Sequence, residues 1–301
     1  MLMFNSQLVA AIVINMNSET PLSDVNQGVF NYFIKQKRSW TITGIIVSII
    51  VETAAVLTFI HSLTVGNHNI ANLSGFAILS PFVVMVVLMQ RAYERFQAEF
   101  FRQFAAVNSF LFTEYEEMEG APGTIFQLEG NRQAFDVITG EYHGASIKLF
   151  LYQRTVNHGK SNTYYKNTVF ELLVNGRLPQ LYLHHNRSTF SNELTDSLDP
   201  IANAFTGRQK IALEGSFGEL FTLFAQQNAQ VLALEVFTPD IMQMILDSHQ
   251  HLDIEIASDR IYIYTADYIN QQTQLLALFS LGNQIHDKLQ RLSTTLDTLP
   301  D

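Results

Sequence analysis

Residues 40–90 constrain the chain more than any other stretch, because they hold two long apolar runs joined by an uncharged loop. The first, Trp40 to about Val65, reads WTITGIIVSIIVETAAVLTFIHSLTV, and the second, about Ile70 to Gln90, reads IANLSGFAILSPFVVMVVLMQ. At a rise of about 1.5 Å per residue, each run is long enough for the roughly 30 Å hydrocarbon core of a bilayer. The connecting GNHNIA carries no Lys, Arg, Asp or Glu. The pattern predicts a transmembrane helical hairpin over 40–90, with spans at about 40–65 and 70–90 and the lipid bilayer as its surroundings.

Basic residues predict the orientation. Lys35, Lys37 and Arg38 precede the first run, and Arg91, Arg95 and Arg102 follow the second. The positive-inside rule then places both termini in the cytoplasm, with residues 1–39 as a cytoplasmic lead-in. The opening MLMFNSQLVAAIVIN lacks a basic n-region and a small-residue cleavage site, which argues against a secretory signal. Translation starting at Met16 is an open alternative to Met1.

The remainder, residues 91–301, is acidic. Residues 1–90 hold three Lys/Arg and three Asp/Glu, so 15 of the 18 basic and 25 of the 28 acidic residues fall after them. An acidic body with no basic stripe is a poor partner for a polyanion, which weighs against nucleic-acid binding. The absence of cysteine excludes disulfides, thiol catalysis and cysteine-ligated metals.

Tyr93, Phe96, Phe100, Phe104, Val107 and Leu111 recur in steps of three and four, and neither Pro nor Gly occurs between Phe82 and GAPG at 120–123. This predicts that the second span continues as a long helical stalk, a juxtamembrane helix over 91–119. From 120 to 267 the pattern becomes α+β. Strands are predicted at Gln133–Ile138, Ser146–Thr155, Tyr164–Val174 and Gln180–His184, separated by TGEYHG, VNHGKSN and NGRLP. Further strands are predicted at Gln209–Glu214 and Leu220–Ala225. Helices are predicted at Asp199–Phe205, at Asn228–Glu235 and from Thr238 to about His249, with Thr238 as N-cap and Pro239 at the first helical position. Leu252, Ile254 and Ile256 alternate with Asp253 and Glu255, and Ile261 and Ile263 alternate with Tyr262 and Tyr264. Around Ser258-Asp259 that pattern predicts a hairpin with one buried face. Residues 268–301 read as a C-terminal helix. Its Leu278, Gly282, Ile285, Leu289, Leu292 and Leu296 would pack on the domain or form a seam between protomers.

The order of parts is similar to that of a known family. After the apolar runs come Asp136, Gly140 and Gly144 as Asp-x-x-x-Gly-x-x-x-Gly, then IALEG with Glu214, then Phe217, Phe221 and Phe224. VLALEVFTPDIM follows, with Thr238, Pro239, Asp240 and Met242, and then IYIY and the terminal helix. Over about residues 30–296, and most closely over 209–264, the chain resembles a family of bacterial two-span membrane-anchored proteins catalogued as a domain of unknown function. The resemblance implies a multi-pass protein of the cell inner (cytoplasmic) membrane with an α+β cytosolic domain. It implies no catalytic residues.

Candidate chemistry is sparse. Glu52 lies at the centre of the first run, where a carboxylate costs about 2.5 kcal/mol or more and is expected to be protonated or paired. Ser80 and Pro81 lie at the matching depth of the second run, and Pro81 frees the Ala77 carbonyl. Glu52 would therefore lock the two runs together, serve a proton or ion path, or face water. His249 and His251 lie beside Asp247 and Asp253 in DSHQHLD, but a spacing of two at a helix end points them to different faces. The dipole of the helix C-terminus explains His249 more simply than a metal does. His184-His185 ends a strand, where neighbours point apart. No metal and no cofactor are expected. Gly159-Lys160-Ser161 has Arg154 where a phosphate loop needs its first glycine.

Three functions are open. The first is a membrane-anchored cytosolic binding or scaffolding module, without catalysis, for a protein or small-ligand partner, with homo-oligomers possible. The second is a membrane-associated enzyme using His143, His184, Asp247 and His249. The third is an oligomeric transport component using Glu52.

Overall fold

The computed structural model describes residues 97–118, 120–159, 161–186, 208–213, 215–248, 251–266, 268–269 and 271–297, together with isolated helical positions between 42 and 95. The chain divides into two compact units, residues 24–104 and residues 105–301 with 1–23. In the first unit the described positions from 42 to 64 are helical, as are residues 97–104.

The described part of the second unit is built on a seven-stranded antiparallel sheet. Its strands are β1 (Leu111–Glu117), β2 (Asn131–Tyr142), β3 (Ala145–Asn157), β4 (Asn162–His185), β5 (Arg208–Ile211), β6 (Phe221–Gln226) and β7 (Leu252–Thr265). They run in the order β1-β2-β3-β4-β6-β5, with β7 also on β4. The helices are α1 (Gly215–Leu220), α2 (Gln230–Val236), α3 (Pro239–Asp247) and α4 (Gln272–Asp297).

This corrects the expected fold class, an α+β domain behind a transmembrane hairpin with a helical stalk. The described architecture is mostly antiparallel sheet with helices packed on it, and it contains no N-terminal hairpin. Among the described residues no single helix is long and apolar enough to cross a membrane. One bent pair, Gln227–Val236 with Pro239–Asp247, passes on length and composition only when taken together. Its Ala233, Val236, Ile241 and Ile245 are buried side chains of the core.

The stalk also ends earlier than its periodicity suggests. Helical residues stop at Val107, and β1 occupies 111–117. The stop is a Schellman turn: Phe110 N–H donates to the Ala105 carbonyl at 2.8 Å and Ser109 N–H to Ala106 at 3.4 Å. Ser109 sits at φ +59, in the left-handed place where glycine usually announces such a turn. With serine there, the sequence carries no stop signal.

β4 and β7 depart from expectation in the same way. The strands predicted at Tyr164–Val174 and Gln180–His184 are one continuous β4, and the predicted hairpin at Ser258 is one continuous β7. The two bend together where Leu178 pairs with Ser258, with register shifts on either side and positive φ at Gly176 (+106) and Ser258 (+62). A bulge and a two-residue hairpin both return residues 257 and 260 to the same face, so alternation alone does not separate them. In its first half β4 has β3 opposite β7, and in its second half it has β6 opposite β7.

Both faces of β7 are covered, not one. Residues 252–257 and 261–265 are all buried. One face carries a cluster of Ile125, Phe126, Val137, Phe150, Tyr152, Val169, Tyr182, Ala257, Tyr262 and Tyr264. Phe126, from the 3-10 turn Thr124–Gln127, sits edge-on to Tyr152 at 5.2 Å and Tyr262 at 5.3 Å. The other face carries α4, whose Phe279 ring lies 4.5 Å from that of Phe170 on β4. Leu275, Leu278, Ile285 and Leu289 of α4 are buried as well.

Candidate functional site

A strand that is buried on both faces must satisfy whatever polar groups it carries. β7 carries Asp253 and Glu255 two residues apart, hence on one face, and each is 2% exposed or less. Asp253 accepts three hydrogen bonds from β4: from His185 N–H at 2.8 Å, Tyr182 O–H at 2.9 Å and His184 Nδ1 at 3.1 Å. A carboxylate acceptor assigns the proton to Nδ1. Glu255 accepts from Thr124 N–H at 2.8 Å, Thr124 O–H at 2.5 Å and Tyr264 O–H at 2.8 Å. Burial pushes the Tyr264 phenol well above its ordinary range, and the Glu255 carboxylate beside it acts in the same direction.

A third carboxylate lies past the bend. Glu171 on β4 is 6% exposed and pairs with Arg260 on β7. Burial raises its pKa above the ordinary 4.5, and Arg260 opposes the shift without cancelling it. Folding therefore takes up a proton at Glu171 above that value, and stability contributed below pH 4.5 is lost as pH rises through the raised pKa. Denaturation midpoints of wild type and Glu171→Gln, measured from pH 4.5 upward, check this. Wild type is expected to lose stability with rising pH more steeply than the variant, and parallel curves would refute it.

These carboxylates bind protein donors, so their first use is to hold elements in place. Asp253 fastens the end of β4 to β7. Glu255 clamps the turn at Thr124, which carries Phe126, onto the sheet. Beside Asp253 the imidazole of His185 stacks on exposed His251 at 4.6 Å and meets the Phe221 ring edge-on at 4.9 Å.

The described candidates named from sequence, His143, His184 and Asp247, lie on separate elements. His143 is exposed in the β2–β3 turn at φ +49, its ring edge on Tyr142 at 4.4 Å. His184 is buried on Asp253 at the far end of β4. Asp247 is exposed at the end of α3 and accepts from Gln243 Nε2 at 2.8 Å. His249, Glu52, Ser80 and Pro81 lie outside the described residues, as does the helix predicted at Asp199–Phe205. No group of three or more His, Cys, Asp or Glu among the described residues could hold a metal ion. At α3, Pro239 occupies the first turn, but the Thr238 hydroxyl bonds to the Asp240 carboxylate and to Lys288 in place of the backbone N–H groups.

The Asp-x-x-x-Gly-x-x-x-Gly segment shapes the β2–β3 hairpin. Asp136 is buried at a bulge with φ +51, and Gly144 turns the chain at φ +79. A Cβ on Gly140 would stand 2.5 Å from the Phe110 ring.

Sequence reading missed Asp253 and Glu255 as a buried pair, together with their partners Tyr182, His185, Thr124 and Tyr264. The available signal was parity: with one extra residue at the bend, Asp253, Glu255, Tyr262 and Tyr264 fall on one face, carboxylates alongside phenols.

No family model matches the chain, and no curated protein matches it. Among solved structures it is similar to the crystal structure of the mycobacterial trehalose monomycolate transport factor A, TtfA, at 12% identity, over 68% of this chain and 98% of that one, with a TM-score of 0.43. At that distance the likeness carries neither fold nor function across to this chain.

Proposed function

We propose that this protein is a membrane-associated binding or scaffolding module, whose sheet domain serves a protein or small-ligand partner without catalysing a reaction. The observation that carries the membrane part is in the first unit. Its helical positions leave Ile42, Ile46, Val47, Ile49, Ile50, Val56, Leu57 and Ile60 exposed, with Ile50 and Leu57 each at 63%. Apolar side chains concentrated in this way, outside any protein core, mark a lipid or protein contact. The buried carboxylates of the second unit are each engaged by fixed protein donors, which suits a structural frame more than acid–base chemistry. The enzyme alternative would need His143, His184 and Asp247 in one cleft.

Flotation of the full chain with neutral phosphatidylcholine vesicles tests the membrane part. The chain is expected to float with the vesicles and to stay bound in high salt, because an acidic body gains nothing from Coulomb attraction to lipid. Ile50→Asp with Leu57→Asp should lower the bound fraction severalfold, at about 2.5 kcal/mol or more per buried charge. A wild-type chain that remains at the bottom of the gradient refutes the reading.

A further inference from the structure

We propose that Asn175 is a site of spontaneous covalent modification in the folded protein, where its side chain cyclises onto the Gly176 nitrogen and opens to isoaspartate or aspartate. Asn175-Gly176 is the single Asn-Gly pair in the sequence. Cyclisation needs a main-chain nitrogen that no following side chain obstructs, an asparagine amide that nothing else holds, and a backbone free to turn between them. The bend of β4 meets these requirements.

Gly176 sits at φ +106, where a residue with a Cβ rarely fits. The bend therefore demands glycine at 176, and glycine leaves the approach to its own nitrogen open. Asn175 is exposed. Its main-chain N–H donates to Gln290 Oε1 of α4 at 3.1 Å, while its side-chain amide has no hydrogen bond among the described residues. Residues 174–177 also stand outside the described ladders. Successive pairs with β7 are Leu173 with Arg260 and Leu178 with Ser258, the β3 ladder stops at Leu172, and the β6 ladder starts at Leu181. A segment without cross-strand partners opens at little cost in free energy.

Two other asparagines show what protection looks like. Asn157 is exposed too, but its Oδ1 accepts from Gly159 N–H at 2.6 Å and His158 follows it. Asn167 is 2% exposed, and its Nδ2 donates to the Thr265 carbonyl at 2.8 Å.

The chemistry uses water alone. Gly176 N–H gives its proton to hydroxide, and the nitrogen attacks Asn175 Cγ. The N–Cγ bond forms, the Cγ–Nδ2 bond breaks and ammonia leaves, giving a cyclic succinimide. Water then opens the ring at either carbonyl. One opening yields aspartate; the other yields isoaspartate, which adds a methylene to the main chain. Either product places a new negative charge at the bend, next to the Gln290 contact with α4. This site uses only the second unit and is independent of the membrane reading above.

Incubating the full chain in mild detergent and heavy-oxygen water at alkaline pH tests the proposal. Peptide mass spectrometry with electron-transfer fragmentation reads the label and separates aspartate from isoaspartate. Asn175 is expected to exchange its amide for labelled oxygen within about tenfold of its rate in the urea-unfolded chain. Asn157 and Asn167 of the folded chain should keep their amides over the same time, and the Asn175 rate should rise with pH. Asn175→Ser, checked for folding by circular dichroism, should give no labelled product at this position. A folded chain whose Asn175 keeps its amide while the unfolded chain loses it, or loses it no faster than Asn157 does, overturns the proposal.

Discussion

Replacing Glu255 by leucine is expected to destabilise the sheet domain by about 3–5 kcal/mol, a large part of the roughly 5–15 kcal/mol that holds a domain folded. The size follows from what remains. Thr124 N–H, Thr124 O–H and Tyr264 O–H all donate to this one carboxylate, and Thr124 and Tyr264 are 7% and 1% exposed. Leucine fills the space but accepts nothing, so three buried donors lose their partner at once. Glu255→Gln keeps a carbonyl oxygen and should cost about 1–2 kcal/mol. Adding Tyr264→Phe to Glu255→Leu removes one stranded donor. The double variant should therefore be less destabilised than the sum of the two single changes. Urea denaturation followed by circular dichroism measures wild type, the three single variants and the double variant. A Leu variant within about 1 kcal/mol of wild type would show that the turn at Thr124 does not depend on the carboxylate.

Gly282→Leu is expected to cost at least about 3 kcal/mol, and Gly282→Ala about 1–3 kcal/mol less the helix-propensity gain of up to about 1 kcal/mol. Gly282 lies mid-way along α4, where glycine weakens an isolated helix. Here the helix backbone lies directly on β4: a Cβ at 282 would meet the Phe170 ring at 2.5 Å and Leu172 Cδ1 at 3.0 Å. Phe170 has little room to yield, since it is fully buried and packed on Phe279. Thermal unfolding reads the effect, at about 2–4 °C per kcal/mol for a domain of this size. A more stable Ala variant would mean that α4 does not approach β4 so closely.

Gly282 also shows where local pattern ends. On the sequence it is one position of a four-then-three row that fits a seam between protomers as well as a face packed on the domain. The row is legible because a helix of 3.6 residues per turn repeats it, but the identity of its partner is not. Phe170, more than a hundred residues earlier, supplies that partner.

β7 makes the same point for strands. Its alternation is plain in LDIEIASDRIYIY, and the register of apolar residues was readable. What could not be read is that Ser258 bends a continuous strand instead of turning it back, because a bulge and a tight hairpin give the same parity. Pairing with β4, bent at the same level, decides between them. Nor could local pattern reveal that the polar side of β7 is enclosed. Asp253 and Glu255 look like the solvent side of a half-buried strand, and they are buried only because the turn at Thr124 and the end of β4 close over them.

From sequence alone, therefore, come the positions of β2, β3, β6 and the helices from 230 onward, along with the acidic balance of the second unit and the apolar character of residues 40–90. Those are local properties, set by turn formers, hydrophobic period and composition. Tertiary structure alone decided that residues 108–110 end a helix without glycine, that four predicted strands are two long bent ones, and that two carboxylates with their phenol and histidine donors lie inside the sheet. Each of those depends on a partner far away in the chain, and no local preference encodes which partner that is.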